Sequence, residues 1–306
     1  MEGLRNKDGL TEKEFLEKYN PRDYIDEMPS VTADILLFTL LDDEQINPRK
    51  LPDKNLHILM IKRGDHPFMG KWALPGGFVT KKESLEQAAI RELQEETNIG
   101  NVYLEQLYAF GDLGRDPRTQ IISISYMALV DSTKLDIKAS SDADDAKWFK
   151  VDFIKYDETK EVKETGYVLE RKYKLELSCD DEVLSAIIKE TKSVENGVSK
   201  VKRELVESVG FAFDHALIIS YGVARLRKKV WHTPIVFSLM PELFTIGQLQ
   251  KAYEGILGVD LIDSNFRKRI EQTAKMVVET NEKIKIGAYR PATAYRFNPE
   301  WEDDEF

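Results

Sequence analysis

The chain holds a single cysteine, Cys179, among its 306 residues, which excludes any disulfide within it and any all-cysteine zinc site. That scarcity fits a reducing compartment, and an isolated cysteine of this kind reads as a small inert hydrophobe. Long apolar runs are also missing. The densest, from Ala33 to Leu41, is far shorter than the roughly 20 residues a spanning helix needs, so no membrane protein is indicated. The first residues include charged Glu2, Arg5, Lys7 and Asp8 instead of an apolar signal core, and a cytoplasmic location is expected. Repeats and low-complexity tracts are absent. Positive charge is short overall: the formal net charge of −10 argues against indiscriminate coating of nucleic acid by the whole molecule.

What is present is a globular balance of 42% hydrophobic and 32% charged residues, in a chain long enough for two domains. The charge is unevenly spread. Between Arg225 and Phe297 there are 13 lysines and arginines against 7 acids, whereas Asn298 to Phe306 holds five acids and no base. A basic island therefore precedes an acidic tail, and such an island is a candidate nucleic-acid footprint.

Local patterns predict the elements. A polar helix is expected near Thr11 to Tyr19, a buried strand over Val31 to Leu41, and a partner strand over His57 to Arg63. The turn Pro75-Gly76-Gly77 leads to a helix from about Ser84 with Leu85, Ala88, Ala89 and Leu93 on one stripe. Strands follow at Val102 to Gly111, Gln120 to Val130 and Lys147 to Val151, and the core of this unit is placed to end near Ile154. The stretch 155–208 turns polar and reads as an inserted hairpin with a helix, built from an alternating Tyr167 to Leu177, an amphipathic Glu182 to Thr191 and a turn at Glu195-Asn-Gly. A connecting helix over 209–230 ends in Arg225, Arg227, Lys228 and Lys229.

The chemistry-bearing motif begins at Gly77, with Glu83 six residues on and then Arg91-Glu92-Leu93-Gln94-Glu95-Glu96-Thr97-Asn98-Ile99. On a helix turning about 100° per residue, Glu92, Glu95 and Glu96 fall within about 100° of arc, so three carboxylates converge and call for a cation. Hard oxygen ligands suit Mg²⁺ or Mn²⁺, with substrate phosphates supplying further oxygens. Glu92 and Glu96 also share their arc with Leu85, Ala88 and Ala89, where a purely solvated face would not put them.

This segment resembles the Nudix box at every defined position except Asn98, where the family has glycine. The resemblance implies that Glu92, Glu95 and Glu96 hold metal, that Glu83 assists, and that Arg91 orders the helix by pairing with a carboxylate. Gly76 and Gly77 would let the backbone approach metal and phosphate. The flanks His66-Pro-Phe-Met-Gly-Lys-Trp72 and Gly111-Asp-Leu-Gly-Arg-Asp-Pro-Arg118 look like those of ADP-ribose-type Nudix domains. From them Arg115 and Arg118 are expected to contact phosphate, Asp116 to orient a ribose or water, and Phe68 or Trp72 to pack against a ring.

Farther on, Thr245-Ile-Gly-Gln248 has capping-box form, so a helix should run to about Leu257 and stop at Gly258. A second helix should start near Ser264 with Phe266, Ile270 and Ala274 inward and Arg267, Lys268 and Arg269 outward. Strand candidates at Met276 to Thr280 and Ala292 to Phe297 flank a loop with Lys283, Lys285 and Arg290, which completes a winged helix-turn-helix over 231–298. Arg267, Lys268, Arg269, Lys283, Lys285 and Arg290 are the candidate DNA contacts. Together with Phe213-Asp-His215-Ala, Thr233-Pro-Ile-Val-Phe, Leu239-Met-Pro-Glu and Arg290-Pro-Ala, these features resemble the Nudix-related transcriptional regulators.

The expected architecture is α+β: a Nudix α/β/α sandwich with a mixed sheet over 1–154, then the insertion, the connecting helix, the winged helix-turn-helix and an acidic tail over 299–306. The expected function is a ligand-responsive DNA-binding regulator, acting as a homodimer, whose Nudix domain takes ADP-ribose or a related nucleoside diphosphate derivative. The alternative is an active Nudix hydrolase with an accessory C-terminal domain, and the intact glutamates leave enzyme activity open.

Overall fold

The computed structural model describes residues 5, 9–20, 28–43, 50–97, 102–134, 146–270, 275–285 and 291–302, without the side chains of Glu12, Glu96 and Thr97. Asn98, Ala274 and Arg290 lie outside the described residues.

A short helix α1 (Glu12–Lys18), closed by a Thr11–Glu14 capping box, precedes the central strand β1 (Ser30–Asp42). Ala33 to Leu40 are buried without interruption, because β1 is covered on both faces. β2 (Lys54–Lys62) pairs antiparallel with the end of β1, and β3 (Trp72–Ala73) adds to β2. β4 (Gly76–Phe78) pairs antiparallel with the start of β1, placing Gly77 opposite Ala33 and Gly76 opposite Asp34. Helix α2 (Leu85–Thr97) then leads to β5 (Tyr103–Phe110) and β6 (Ile121–Leu129), of which β6 runs parallel to β1.

The sheet is therefore mixed, and its faces are sorted by the pleat. Ile35 and Leu37 pack with Leu93 and Trp148, and Ala33 packs with Ala88 and Ala89 of α2. Leu36, Phe38 and Leu40 point to the other face and meet Ile218, Ile219 and Val223 of helix α3 (His215–Lys229). Helices on both faces of a mixed sheet make the expected α/β/α sandwich.

The stretch 155–208 departs from expectation. β7 (Ala146–Lys163), β8 (Gly166–Cys179), β9 (Glu182–Glu195) and β10 (Val198–Val209) form an antiparallel meander that continues the same sheet beyond β2. No helix forms at Glu182 to Thr191. Leu184, Ala186, Ile188 and Glu190 are buried at a spacing of two, against the helical spacing that the same apolar residues also permit. The β-branched Val183, Ile187, Ile188 and Thr191, beside the open edge of β8, decide for a strand. The expected turn does form at Asn196 and Gly197, both with positive φ as a two-residue hairpin requires.

After α3, a 3₁₀ turn over Pro234–Leu239 leads to α4 (Ile246–Leu257), which has the Thr245–Gln248 capping box and a left-handed cap at Gly258. Helix α5 (Asp263–Arg267) follows, then the two-stranded wing of β11 (Val277–Ile284) and β12 (Ala292–Phe297). The buried cluster runs without a break from β1 through α3 into Leu249, Tyr253, Phe266 and Tyr295, so the sandwich and the winged helix share one core.

Candidate ligand pocket and nucleic-acid interface

The Nudix-box helix begins with a reciprocal cap in which the Gln87 N–H donates to Ser84 Oγ and the Ser84 N–H donates to Gln87 Oε1. One turn later Arg91 becomes a hub. Its Nε and Nη2 form a fork on Glu83 at 3.1 and 3.0 Å, and its Nη1 lies 2.5 Å from Glu92 Oε1 and 3.4 Å from Glu95 Oε2. The Arg91 guanidinium, helped by the Thr80 N–H, holds the Glu83 carboxyl down at about 2, so it stays ionised at any physiological pH. A Cβ at Gly77 would overlap Glu92 Oε1, so glycine is what lets this buried carboxylate lie against the backbone of the turn. Gly76, with positive φ, packs as tightly against Ala33 O.

Glu83, Glu92 and Glu95 thus gather around a guanidinium. Among the described residues no three His, Cys, Asp or Glu side chains are arranged to hold a metal ion, and the Glu96 side chain lies outside them. The donor chemistry is all carboxylate oxygen, which fits a hard divalent cation.

Beside Gly76 and Gly77 opens a cleft of about 170 Å³, lined by Arg63, Phe78, Arg118, Phe213 and the buried Asp34 and His215, among others. Sequence reasoning assigned no role to five of these. Phe213 is the centre of an aromatic and cationic group. Phe68 meets it edge-on at 4.7 Å, and the guanidiniums of Arg63 and Arg118 lie 5.0 and 5.7 Å from its ring centre. Arg118 also lies 5.5 Å from the Phe78 ring. His215 accepts the Leu74 N–H at Nδ1, 2.8 Å away, and burial pushes its imidazole down, so it is neutral with its proton on Nε2. Asp34 accepts from Ser123 Oγ, which itself contacts Ser125. In the sequence Phe213 and His215 stand out only as the motif Phe213-Asp-His215-Ala, which carries the family resemblance but no role. The separation of 141 positions between Leu74 and His215 hides the contact from any local pattern.

The two loop arginines separate in role. Arg115 also lines the cleft, and its Nε and Nη2 are forked onto Asp214 at 2.9 and 2.6 Å, which ties the loop to the start of α3. Arg118 remains part-exposed at the cleft. Its Nε and Nη2 pair with Asp116, whose burial tends to raise its pKa while the bonds from Arg118 prevail and lower it. Asp116 therefore orients Arg118. Trp72, the other ring candidate, belongs to the core, packed edge-on against Phe149 and donating to Glu182 Oε2.

The helix-turn-helix is fixed by buried polar bonds. Gln250 Nε2 donates to Leu261 O and to Asp263 Oδ1, and the Leu261 N–H donates to Glu254 Oε1. Trp231, Tyr253 and Phe266 form its aromatic centre. Arg267, Lys268 and Arg269 are exposed at the end of α5 and the turn after it, although Arg269 also covers the Trp231 ring at 4.1 Å. Lys283 and Lys285 are exposed at the wing. Much of the upstream basic cluster faces inward instead. Arg225 and Lys229 pair with Glu105 of β5, and Arg227 donates to backbone carbonyls.

Comparison with known proteins agrees with this division. Residues 32–171 match the NUDIX domain family and residues 236–297 match the NrtR DNA-binding winged helix domain. An ADPR responsive transcriptional repressor of Acinetobacter baylyi is 31% identical over 289 residues, covering 94% of this chain and 88% of that protein. The crystal structure of Shewanella oneidensis NrtR complexed with a 27mer DNA superposes with a TM-score of 0.59 at 27% identity, over 88% of this chain and 94% of that one. A MutT/nudix family protein from Enterococcus faecalis gives 0.58 at 27% identity, over 96% and 100%. With a Nudix sandwich, a winged helix on the same core and a relative matched along nearly its whole length, the chain belongs to the family of NrtR regulators.

Proposed function

We propose that this chain is an ADP-ribose-responsive transcriptional regulator, which binds its ligand in the cleft beside Gly76 and Gly77 and operator DNA through the winged helix. The observation that carries the reading is the set of Arg63, Arg118 and Phe213 converging on that cleft. Two guanidiniums offer positive charge for a diphosphate and an aromatic face offers a stacking surface for a base. The cleft is smaller than the roughly 300–1,000 Å³ of most small-molecule sites, so a nucleoside diphosphate sugar would extend along its open side. Arg267, Lys268, Lys283 and Lys285 are positioned to neutralise phosphates or read a groove, with Arg269 and Arg290 as further candidates. Pairing of two half-sites calls for a homodimer, which light scattering on the purified chain measures, and a cytoplasmic location belongs to the same reading.

The test is fluorescence anisotropy with a duplex from upstream of its own gene, with and without ADP-ribose. A salt-sensitive, sequence-selective complex whose affinity changes with ADP-ribose is expected. Indifference to the ligand, or binding equal to that of scrambled DNA, sinks the reading.

A second activity is favoured by the presence of Glu83, Arg91, Glu92, Glu95 and Glu96 in a box that departs from the pattern only at Asn98. Glu92, Glu95 and Glu96 would hold Mg²⁺ or Mn²⁺, which when bound activates water and offsets charge on a pyrophosphate. Arg91 keeps Glu83 ionised and holds Glu83 and Glu92 in place. Release of AMP from ADP-ribose in the presence of Mg²⁺ tests it, and turnover that is absent, or unchanged in Glu96→Gln, would refute it.

A further inference from the structure

Helix α3 begins at the cleft, and its far end reaches the DNA-reading unit. At its N-terminal end, Phe213 and His215 line the cleft and Asp214 is gripped by Arg115. The preceding residues are stitched to β3: the Trp72 N–H donates to Gly210 O and the Ala212 N–H to Trp72 O. The start of α3 is thus bonded directly to the strand that enters the glycine turn. The helix is 15 residues long, about 22 Å at 1.5 Å per residue.

At the far end, Arg227 makes two bonds to two different bodies. Its Nη1 donates to Phe153 O of β7 at 2.7 Å, and its Nε donates to Ile256 O of α4 at 2.9 Å, with the guanidinium over the Phe153 ring. One side chain on α3 therefore fastens the first helix of the helix-turn-helix to the sheet of the Nudix sandwich. Beside it lies a cavity of about 490 Å³, lined by Lys54, Phe153, Glu254 and Gly258 together with Arg227. Beside that cavity α4 packs against β2. Gly255 approaches Lys54 O so closely that a Cβ would overlap it, and Lys251 pairs with Asp53 at 2.6 Å.

We propose that Arg227 is the positioning residue through which occupancy of the ligand cleft sets the angle of the helix-turn-helix. Ligand bound against Phe213 and beside His215 shifts α3 along its axis, and the Arg227 fork carries that shift to Ile256 and so to α4. Arg227 touches neither ligand nor DNA. Trp231, just past the end of α3, packs on Tyr253 and Phe266, which extends the same path to α5. The inference rests on the regulatory reading above.

The experiment uses the full chain, ADP-ribose, and the upstream duplex, with Arg227→Gln and Arg227→Lys. Calorimetry gives the ligand affinity, and anisotropy gives the DNA affinity with and without saturating ADP-ribose. Site-to-site coupling of this kind is commonly about 5–150-fold, and Arg227→Gln is expected to bring the ratio of the two DNA affinities below about twofold. Arg227→Lys, able to reach one carbonyl at a time, is expected to fall between. Ligand affinity should stay within about threefold in both, since they alter no group in the cleft. A wild-type ratio preserved in Arg227→Gln overturns the proposal. Hydrogen exchange on the wild type decides it independently of how the variants fold. ADP-ribose should change protection at 151–155 and 254–260 as well as at 213–217, and a change confined to 213–217 overturns it. A wild type that binds ADP-ribose without any change in DNA affinity instead sinks the regulatory reading itself.

Discussion

The ligand half and the DNA half of this molecule hold their charges in opposite ways. Around the cleft, cations are paired and partly buried: Arg91 on Glu83, Arg115 on Asp214, Arg118 on Asp116. At the winged helix Lys268, Lys283 and Lys285 stand exposed, above a frame of Gln250 and Glu254 hydrogen bonds and aromatic rings. Paired buried charge is sensitive to the removal of a single atom, because a desolvated partner is left behind. Exposed charge acts collectively and is screened by salt. Substitutions in the first half should therefore produce abrupt losses specific to each position, and substitutions in the second should produce graded losses that salt can mimic.

Arg115→Ala is the hardest test of that contrast. It strips the partner from Asp214, whose side chain keeps only 17% of its exposure, and a broken buried pair typically costs about 3–5 kcal/mol. Thermal unfolding should show a larger drop in Tm than for any other single substitution in the cleft or the winged helix. A drop of a degree or less would mean that the loop and α3 are joined by something other than this fork.

Three residues along the same loop, Arg118→Ala should act on the ligand as well as on the fold. It leaves Asp116, whose side chain is 4% exposed, without its partner, and it removes the guanidinium beside Phe213 from the cleft. Calorimetry should show ADP-ribose binding about 10–100-fold weaker, roughly 1.4–2.7 kcal/mol, with DNA binding in the absence of ligand unchanged. Equal ligand affinity in wild type and variant would remove Arg118 from the site.

The pair also marks where sequence reasoning stops. Nothing in Arg115-Asp-Pro-Arg118 distinguishes the structural arginine from the accessible one, because the partner that decides, Asp214, is 99 residues away. Elements with strong local signals were legible: the buried run of β1, the stripe and turn of α2, and the Thr245–Gln248 cap and Gly258 stop of α4. The Nudix box could be read because its residues lie on one turn and one helix. Phe213, His215 and Arg63 could not, since the cleft exists only once β1, β2 and α3 come together. Glu182 to Thr191 satisfied both periodicities, and the open edge of β8 settled the matter. The basic cluster at the end of α3 was misleading for a related reason. Charge counts register lysine and arginine but not the carboxylates and carbonyls that Arg225, Arg227 and Lys229 meet after folding.

On the DNA side, replacing Arg267 and Lys268 together by alanine should weaken operator binding without touching ADP-ribose affinity. The slope of log K against log salt should shrink by about 0.9 for each phosphate that the variant no longer neutralises. Weaker binding with no change in slope would indicate that these side chains read bases. An unchanged complex would move the interface to the wing, where Lys283 and Lys285 stand.

The smallest expected effect concerns the one imidazole buried in the cleft. The folded His215 takes up a proton below its ordinary value of 6.5, because burial disfavours the charged ring and the Leu74 N–H occupies Nδ1. The unfolded chain binds that proton near pH 6.5, so stability is complete above 6.5 and drains away as pH falls from there toward the folded value, by at most about 1.4 kcal/mol per pH unit. His57, also held down by burial, contributes in the same direction. His215→Gln can still accept the Leu74 N–H but does not titrate, so its Tm should decline less steeply than that of the wild type between pH 7 and about 5.5. Identical slopes would mean that the wild-type ring gains its proton without unfolding, and hence that the ligand half tolerates a buried charge it has not paired.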